Sequence, residues 1–382
     1  ATSAPSSAHA PSEVVSDSPS GSVAKKEKAT ASATAPTSTS SGGSAGLPSF
    51  SGDTATTSES GASVIKPQPE YKQLSAGDKD DNANFDEYLD YLKKNSTKLI
   101  EGKDIFKVDV SKRFIISVVD KNKKSIQDAK ITITANGSTV FNGKSYANGK
   151  TIFHPLATNS SKNCQQQTCS LADTYKVTVE KNGEKLIKEF TSSDKEWNFQ
   201  FDNNRTLLQQ ANLDITFLVD ATGSMGDEIS SIQKTIKDIS AKIKGLSSNP
   251  KIRFSLVSYK DRGDAYRVKR YDFTNNLTFF QEILDELSAG GGGDYPESMN
   301  EGLLHAVSKV SWNNTEDATR LVFLIADAPP HLDYSDDVKY TESMQEAVKN
   351  GIKIYPIAAS GLDSAGEYVS RQLAQNTLAK FL

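Results

Sequence analysis

The chain has 382 residues, of which 36% are hydrophobic and 24% charged, and a formal net charge of -4. That length allows two folded domains plus a tail. The charge balance offers no basic surface for nucleic acid, and the lack of any apolar run of roughly 18 residues argues against a membrane span.

Residues 1–75 are dominated by Ala, Ser, Thr, Pro and Gly, and Ala29 to Gly46 carries no large apolar side chain. Such a segment buries too little surface to offset its ordering entropy. It is expected to be a disordered linker or stalk, of the kind that carries a binding head on an exported, extracellular or cell-surface bacterial protein. The block Lys25-Lys26-Glu27-Lys28 is too short and mixed to be a nucleic-acid tail. The sequence opens at Ala1 with neither an initiating Met nor an apolar targeting run, so a fragment of a longer chain is expected.

Residues 76–104 read as a short helical connector. Phe85, Tyr88, Leu89 and Leu92 share one face of a helix over about 82–95, expected to pack against the module that begins near residue 105.

Between residues 105 and 205 the apolar period changes to two: Phe114, Ile116, Val118; Ile131, Ile133; Tyr175, Val177, Val179; Trp197, Phe199, Phe201. Turn signals intervene at Asp120-Lys121-Asn122, Asn136-Gly137, Asn142-Gly143, Asn148-Gly149 and Asn182-Gly183. Short strands with Asn-Gly turns predict a small antiparallel β-sandwich. The pattern Val118-Val119-Asp120 through Ile126-Gln127-Asp128-Ala129, with Ala147-Asn148-Gly149-Lys150 later, resembles carboxypeptidase-regulatory or transthyretin-like modules. The resemblance implies a spacer or accessory adhesion role. The two cysteines, Cys164 and Cys169, lie in the polar loop 160–170. Their spacing allows a small disulfide-closed loop in an oxidising compartment; two free thiols are the alternative. A zinc site would need more ligands than the nearby His154.

Residues 206–382 alternate strands and helices. Ile215-Thr216-Phe217-Leu218-Val219-Asp220 is an apolar run ending in a carboxylate, and Ile229, Ile232, Ile236, Ile239 and Ile243 place a helix over about 227–244. Strands come next over 252–259 and 268–273, then a helix over 278–288, the loop Gly290-Gly291-Gly292-Gly293-Asp294-Tyr295-Pro296-Glu297, and a helix over 297–312. A strand over 320–326 ends in Asp327; then come a helix over 340–350, a strand over 352–358 and a helix over 366–379. Such alternation implies crossover connections and an α/β, mainly parallel sheet.

Asp220, Thr222 and Ser224 are hard oxygen donors at alternate positions beyond the carboxyl end of a strand, where open α/β sheets bind ligands. A structural reading, in which the hydroxyls cap the following helix, is the alternative. Ala221 separates Asp220 from Thr222-Gly223, unlike the Asp-Thr-Gly of an aspartic protease, and position 222 lacks the second carboxylate of an Asp-x-Asp-x-Thr phosphatase. The order D-x-T-x-S, followed by a helix and later by a strand ending in Asp327, resembles the metal-ion-dependent adhesion site of a von Willebrand factor A domain, over about Leu213 to Leu382. The resemblance implies a doubly wound sheet whose top loops bind a divalent cation. That cation, Mg²⁺ with Ca²⁺ or Mn²⁺ as alternatives, would in turn bind an acidic side chain of a protein partner. The family usually supplies a Thr from the glycine loop; here Asp294 stands there, so the implied ligand set is Asp220, Thr222, Ser224, Asp294 and Asp327. A third carboxylate would raise metal affinity and lower affinity for an acidic ligand. The resembled fold normally continues with one more strand and helix, so a C-terminal truncation after Lys380-Phe381-Leu382 is expected.

His331 is read as a loop residue rather than a catalytic one, and Arg262-Gly263-Asp264 as a structural turn rather than an integrin ligand. The expectation is a binding protein, because no paired nucleophile and base stand beside the ion. A metal-dependent hydrolase would need a phosphate-binding cation, for which Lys260 and Arg262 are the nearby residues. The same motifs also suit an enzyme-docking module, or a scaffold with a structural metal.

Overall fold

The computed structural model describes residues 12–16, 77–100, 105–106, 108–157, 171–206, 209–293, 295–314 and 317–382. The chain divides into residues 1–17 with 76–382, and residues 18–75; the described residues all belong to the first unit. The fold is mixed α/β, with three sheets among the described residues.

The first strand corrects the expectation of a linker throughout 1–75. β1 (Glu13–Val15) pairs antiparallel with residues 268–270, Glu13 opposite Arg270 and Val15 opposite Val268. α1 (Phe85–Ile100) comes after it. It lies against the last helix of the chain rather than only on the strands after it. Asp81 receives two bonds from Arg371, at 2.9 and 2.6 Å, and the Arg371 guanidinium sits 3.6 Å over the Tyr91 ring.

Seven strands come next: β2 (Phe114–Val119), β3 (Lys130–Ala135), β4 (Ser138–Lys144), β5 (Lys150–Phe153), β6 (Thr174–Lys181), β7 (Glu184–Thr191) and β8 (Trp197–Gln200). They form sheets of order β5-β2-β8 and β4-β3-β6-β7 that share one core, in which Trp197 stacks between Phe114 and Phe190. The sandwich is not wholly antiparallel, since β2 and β8 run parallel. β8 returns after five intervening strands instead of through a hairpin, which frees its direction. Asn136-Gly137 and Asn182-Gly183 take positive φ at both residues and close two-residue hairpins. Asn142-Gly143 does not turn; it lies inside β4, with the Phe141 ring over Gly143. Cys164 and Cys169 lie outside the described residues.

The remainder runs β9 (Asn212–Asp220), α2 (Gly226–Lys244), β10 (Lys251–Tyr259), β11 (Val268–Thr274), α3 (Leu277–Asp285), α4 (Met299–Ser308), β12 (Ala318–Ala326), α5 (Tyr340–Asn350), β13 (Ile352–Ala358) and α6 (Ser364–Asn376). The sheet order is β1-β11-β10-β9-β12-β13, with β9, β10, β12 and β13 mutually parallel and β11 and β1 antiparallel additions. Because neighbouring strand residues point to opposite faces, the sheet builds two cores. Leu218, Val257, Leu324 and Ile354 meet Met299, Leu303, Met344 and Val369 from α4, α5 and α6. Ile215, Phe217, Val219 and Leu256 meet Ile229, Ile236, Phe280 and Ile283 from α2 and α3. α4 approaches closely because residue 302 is glycine: a β-carbon there would lie 2.7 Å from Tyr259 Cδ1 and 3.1 Å from Leu218 Cδ1. Leu382 pairs with the backbone of Pro356 and Ala358, beside β13.

The sandwich docks on the start of β12 and on α5. Buried Arg320 forms a two-point ion pair with Asp128, at 2.7 and 3.0 Å, and Asp128 also accepts from the Ala318 N–H. Lys181 pairs with Asp317 and Gln127 with Thr319, while Val348 of α5 enters the sandwich core.

Candidate metal centre

β9 is buried along almost its whole length and delivers Asp220 to its carboxyl end, opposite Tyr259 of β10. There the Ala221 N–H makes the last ladder-like bond, to Tyr259 O at 2.8 Å, and the chain leaves the sheet. Thr222 precedes a single 3₁₀ turn, Gly223–Met225, that leads into α2. Its hydroxyl makes no capping bond. Instead the Thr222 N–H and Oγ1–H both donate to Asp220 Oδ1, at 2.9 and 2.7 Å. Thr222 thus orients the carboxylate with its protons, while the Oγ1 lone pairs remain able to act as ligands. Ser224 is exposed on the same turn.

The glycine loop is strapped to this turn by backbone. Gly290 N–H donates to Ala221 O and Gly223 N–H to Gly291 O, each at 3.1 Å. Gly291 and Gly292 have φ of +83° and +76°, where a side chain is strained. Gly292 is also closed sterically: a β-carbon would lie 2.9 Å from Glu297 Oε1 and 3.1 Å from Thr222 Cβ. The Lys260 ammonium lies beneath the loop and donates to the carbonyls of Ala221 and Gly290. Asp264 accepts from Gly292 N–H at 2.9 Å and from Asp261 N–H at 3.0 Å, while Arg262 pairs with Asp336 and covers the Tyr334 ring. Arg262-Gly263-Asp264 is accordingly a turn that supports the glycine loop. Asp294 lies outside the described residues.

Asp327 directly follows β12 and is buried. Its backbone carbonyl accepts from the Tyr295 hydroxyl at 3.4 Å, and that hydroxyl accepts from Asp363 N–H, the start of α6, at 3.1 Å. The segment around Glu297 is zipped to the loop after Asp327: Glu297 N–H donates to Pro329 O and His331 N–H to Glu297 O. Glu297 therefore brings a buried carboxylate beside Thr222 and Gly292. Sequence pattern alone gives this residue no part in the site. The Pro before it, whose ring fixes φ, was the available signal.

Burial dominates the electrostatics. The Asp220 carboxyl is pushed up to about 6 by desolvation; the charge of Asp327 adds to this, while the Thr222 bonds and Lys260 oppose it. Tyr259 is driven well above its ordinary range by burial and then by the charges of Asp220, Glu297 and Asp327. Lys260 is lowered by burial, against the pull of Asp264, Asp220 and Glu297. Asp220 Oδ2 is buried without a hydrogen-bond partner, a state that costs free energy unless something positive meets it. An orphaned carboxylate oxygen next to hydroxyls and a glycine cradle fits a small hard cation. Among the described residues no three His, Cys, Asp or Glu side chains converge closely enough to hold a metal by themselves, so the hydroxyls of Thr222 and Ser224 would have to contribute.

His331 is held away from this centre. Its Nε2 lies 3.2 Å from Asp261 Oδ1 and its Nδ1 2.9 Å from Asp333 Oδ1, with the ring stacked on Tyr334 at 4.1 Å. It ties the loop after β10 to the loop after β12.

The von Willebrand factor A domain model matches residues 214–377. The chain is 32% identical over 143 residues to the alpha-protein kinase vwkA of Dictyostelium discoideum, covering 37% of this chain and 22% of that protein. It is 31% identical over 122 residues to a protein of Acanthamoeba polyphaga mimivirus named for an ariadne-like RING finger, R811, covering 32% of this chain and 12% of that one. The chain thus spans less than a quarter of the length of either relative. Among solved structures, it is similar to proximal thread matrix protein 1 of the mussel byssus, at 14% identity and a TM-score of 0.34, with 48% of this chain and 49% of that one covered.

Proposed function

We propose, from the von Willebrand factor A domain over residues 214–377, that this chain is a divalent-cation-dependent protein-binding module. Asp220, Thr222, Ser224, Asp294 and Asp327 would hold Mg²⁺, or Ca²⁺ or Mn²⁺, on the doubly wound sheet's upper edge. The cation would supply an electrophilic position for a carboxylate of the partner. The observation that carries this reading is the buried Asp220, with Oδ1 held by Thr222 and Oδ2 lacking a partner. Glu297 adds negative potential at the rim. If Asp220, Asp294 and Asp327 were all ionised around it, the cation would be bound tightly and be a weaker electrophile than at a two-carboxylate site.

The preceding sandwich, read as a transthyretin-like spacer, would carry this head. An exported, surface-displayed adhesion setting is our reading of the Ser/Thr/Ala-rich residues 1–75. A second reading treats the domain as a docking module attached to an enzyme. It draws on the short shares of relatives named for a kinase and for a RING finger. Phosphoryl transfer by the centre itself is disfavoured, because Lys260 is engaged by two carbonyls and Arg262 by Asp336.

Calorimetric titration of Mg²⁺, Ca²⁺ and Mn²⁺ into the full chain and its Asp220→Ala variant tests the proposal. Saturable one-site binding that disappears in the variant is expected. Equal binding by a folded variant, or none by the parent, would refute it.

A further inference from the structure

We propose that the outer edge of β11 is an acceptor groove for a short acidic, β-branched strand, that β1 is its built-in occupant, and that a second copy of this chain can supply the same strand in trans. The groove has backbone and side-chain components. Ser12 N–H donates to Arg270 O and Arg267 N–H to Val15 O, both at 2.8 Å, and Ser12 Oγ accepts from Asp272 N–H at 3.1 Å. β1 thereby satisfies an edge that would otherwise stay open to pairing.

Side chains set the selectivity by alternation. Glu13 Oε2 accepts from Arg270 Nη2 at 2.8 Å and lies 3.9 Å from His305 Nδ1. Val15 packs against the core face that contains Val268. Val14, between them, is 47% exposed. An acidic residue two positions before a β-branched one is what this edge reads.

The contacts described above come from residues 12–15, whereas the chain next enters the described structure at Gly77. None of them requires the covalent connection between the two. An identical strand on a neighbouring copy would make the same bonds, the covalent connection adding only effective concentration.

The experiment uses two variants of the full chain. Glu13→Arg with Val15→Asp spoils the strand and leaves the groove; Arg270→Glu spoils the groove and leaves the strand. Each alone should be monomeric by light scattering across hundreds of micromolar, while their mixture should form a 1:1 dimer whose fraction rises with concentration. Combining Glu13→Arg with Arg270→Glu in one chain should restore a monomer that no longer pairs with either single-sided variant. Absence of the mixed dimer with both proteins folded by circular dichroism would overturn the proposal. If Arg270→Glu does not fold, Arg270→Gln takes its place, and a labelled peptide of residues 11–17 is titrated onto the strand-defective chain. Equal binding of a scrambled peptide of the same charge would mean that electrostatics alone, not strand pairing, holds it, which also overturns the proposal.

Discussion

Asp220→Asn separates the demands of metal binding from those of folding. The Asp220 carboxyl moves from 3.8 in an ordinary environment to about 6 in the folded chain, chiefly by burial. At about 1.4 kcal/mol per pH unit, ionising it costs the metal-free fold on the order of 3 kcal/mol at neutral pH. The folded pKa is the higher one, so between about pH 4 and 6 the folded state holds a proton that the unfolded chain has lost. Stability of the metal-free chain therefore falls as pH rises through that window and is level above it. Asn keeps an Oδ1 to accept from Thr222 N–H and Oγ1–H but carries no charge. Urea unfolding in EDTA at pH 7.5 should show Asp220→Asn more stable than the parent by about 1–3 kcal/mol, and the advantage should vanish at pH 4. Saturating Mg²⁺ should reverse the order, since a ligand at a thousand times its Kd adds about 4.1 kcal/mol to the parent alone. An advantage that persists unchanged at pH 4, or its absence at pH 7.5, would refute the assignment of Asp220 as a strained, metal-awaiting carboxylate.

Gly292→Ala places a β-carbon 2.9 Å from Glu297 Oε1 at a φ of +76°; metal affinity by calorimetry should drop at least tenfold, with a stability loss of about 1–3 kcal/mol. Gly302→Ala overpacks α4 against Tyr259 and Leu218 and should lower unfolding stability by about 1–3 kcal/mol; no loss would mean that α4 is free to shift. Asp128→Ala leaves the buried Arg320 guanidinium without its carboxylate and should cost about 3–5 kcal/mol in denaturant unfolding, largely recovered when Arg320→Met is added.

The α/β half was legible because its signals are local and repeated. Isoleucines at helical spacing placed α2 to within a residue, and continuous apolar runs marked β9, β12 and β13. What escaped depends on distant partners. Glu13-Val14-Val15 is a strand only because Arg270 and Val268 lie beside it, more than 250 residues along the chain, and three residues in a Ser-rich stretch carry no period. β7 escaped because most of its side chains are exposed, leaving no alternation to read. Asn142-Gly143 misled for the opposite reason: the dipeptide favours a turn, but the Phe141 ring occupies the space beside Gly143 and keeps it in the strand. At the centre, the hydroxyls could be picked out from spacing, but not their division of labour. That Thr222 turns back to Asp220 while Ser224 stays exposed is decided by the turn geometry of residues 222–225.

The two ends of the sheet have different occupants, and this bears on how the module could work. The sandwich holds the amino end of β12 through Asp128, Gln127 and Lys181, whereas Asp220 and Asp327 leave the carboxyl ends of β9 and β12. Nine residues of β12 separate those poles, about 30 Å at the usual strand rise. A partner approaching the Asp220 pole would therefore meet the turn after β9, the glycine loop and the half-exposed Tyr295 ring without meeting the sandwich. If the strands between the poles are as rigid as their burial on both faces implies, Asp128→Ala should lower stability while leaving Mg²⁺ affinity within about twofold of the parent. A tenfold change in affinity in the folded variant would show instead that sandwich docking and the metal centre are energetically coupled, by about 1.4 kcal/mol.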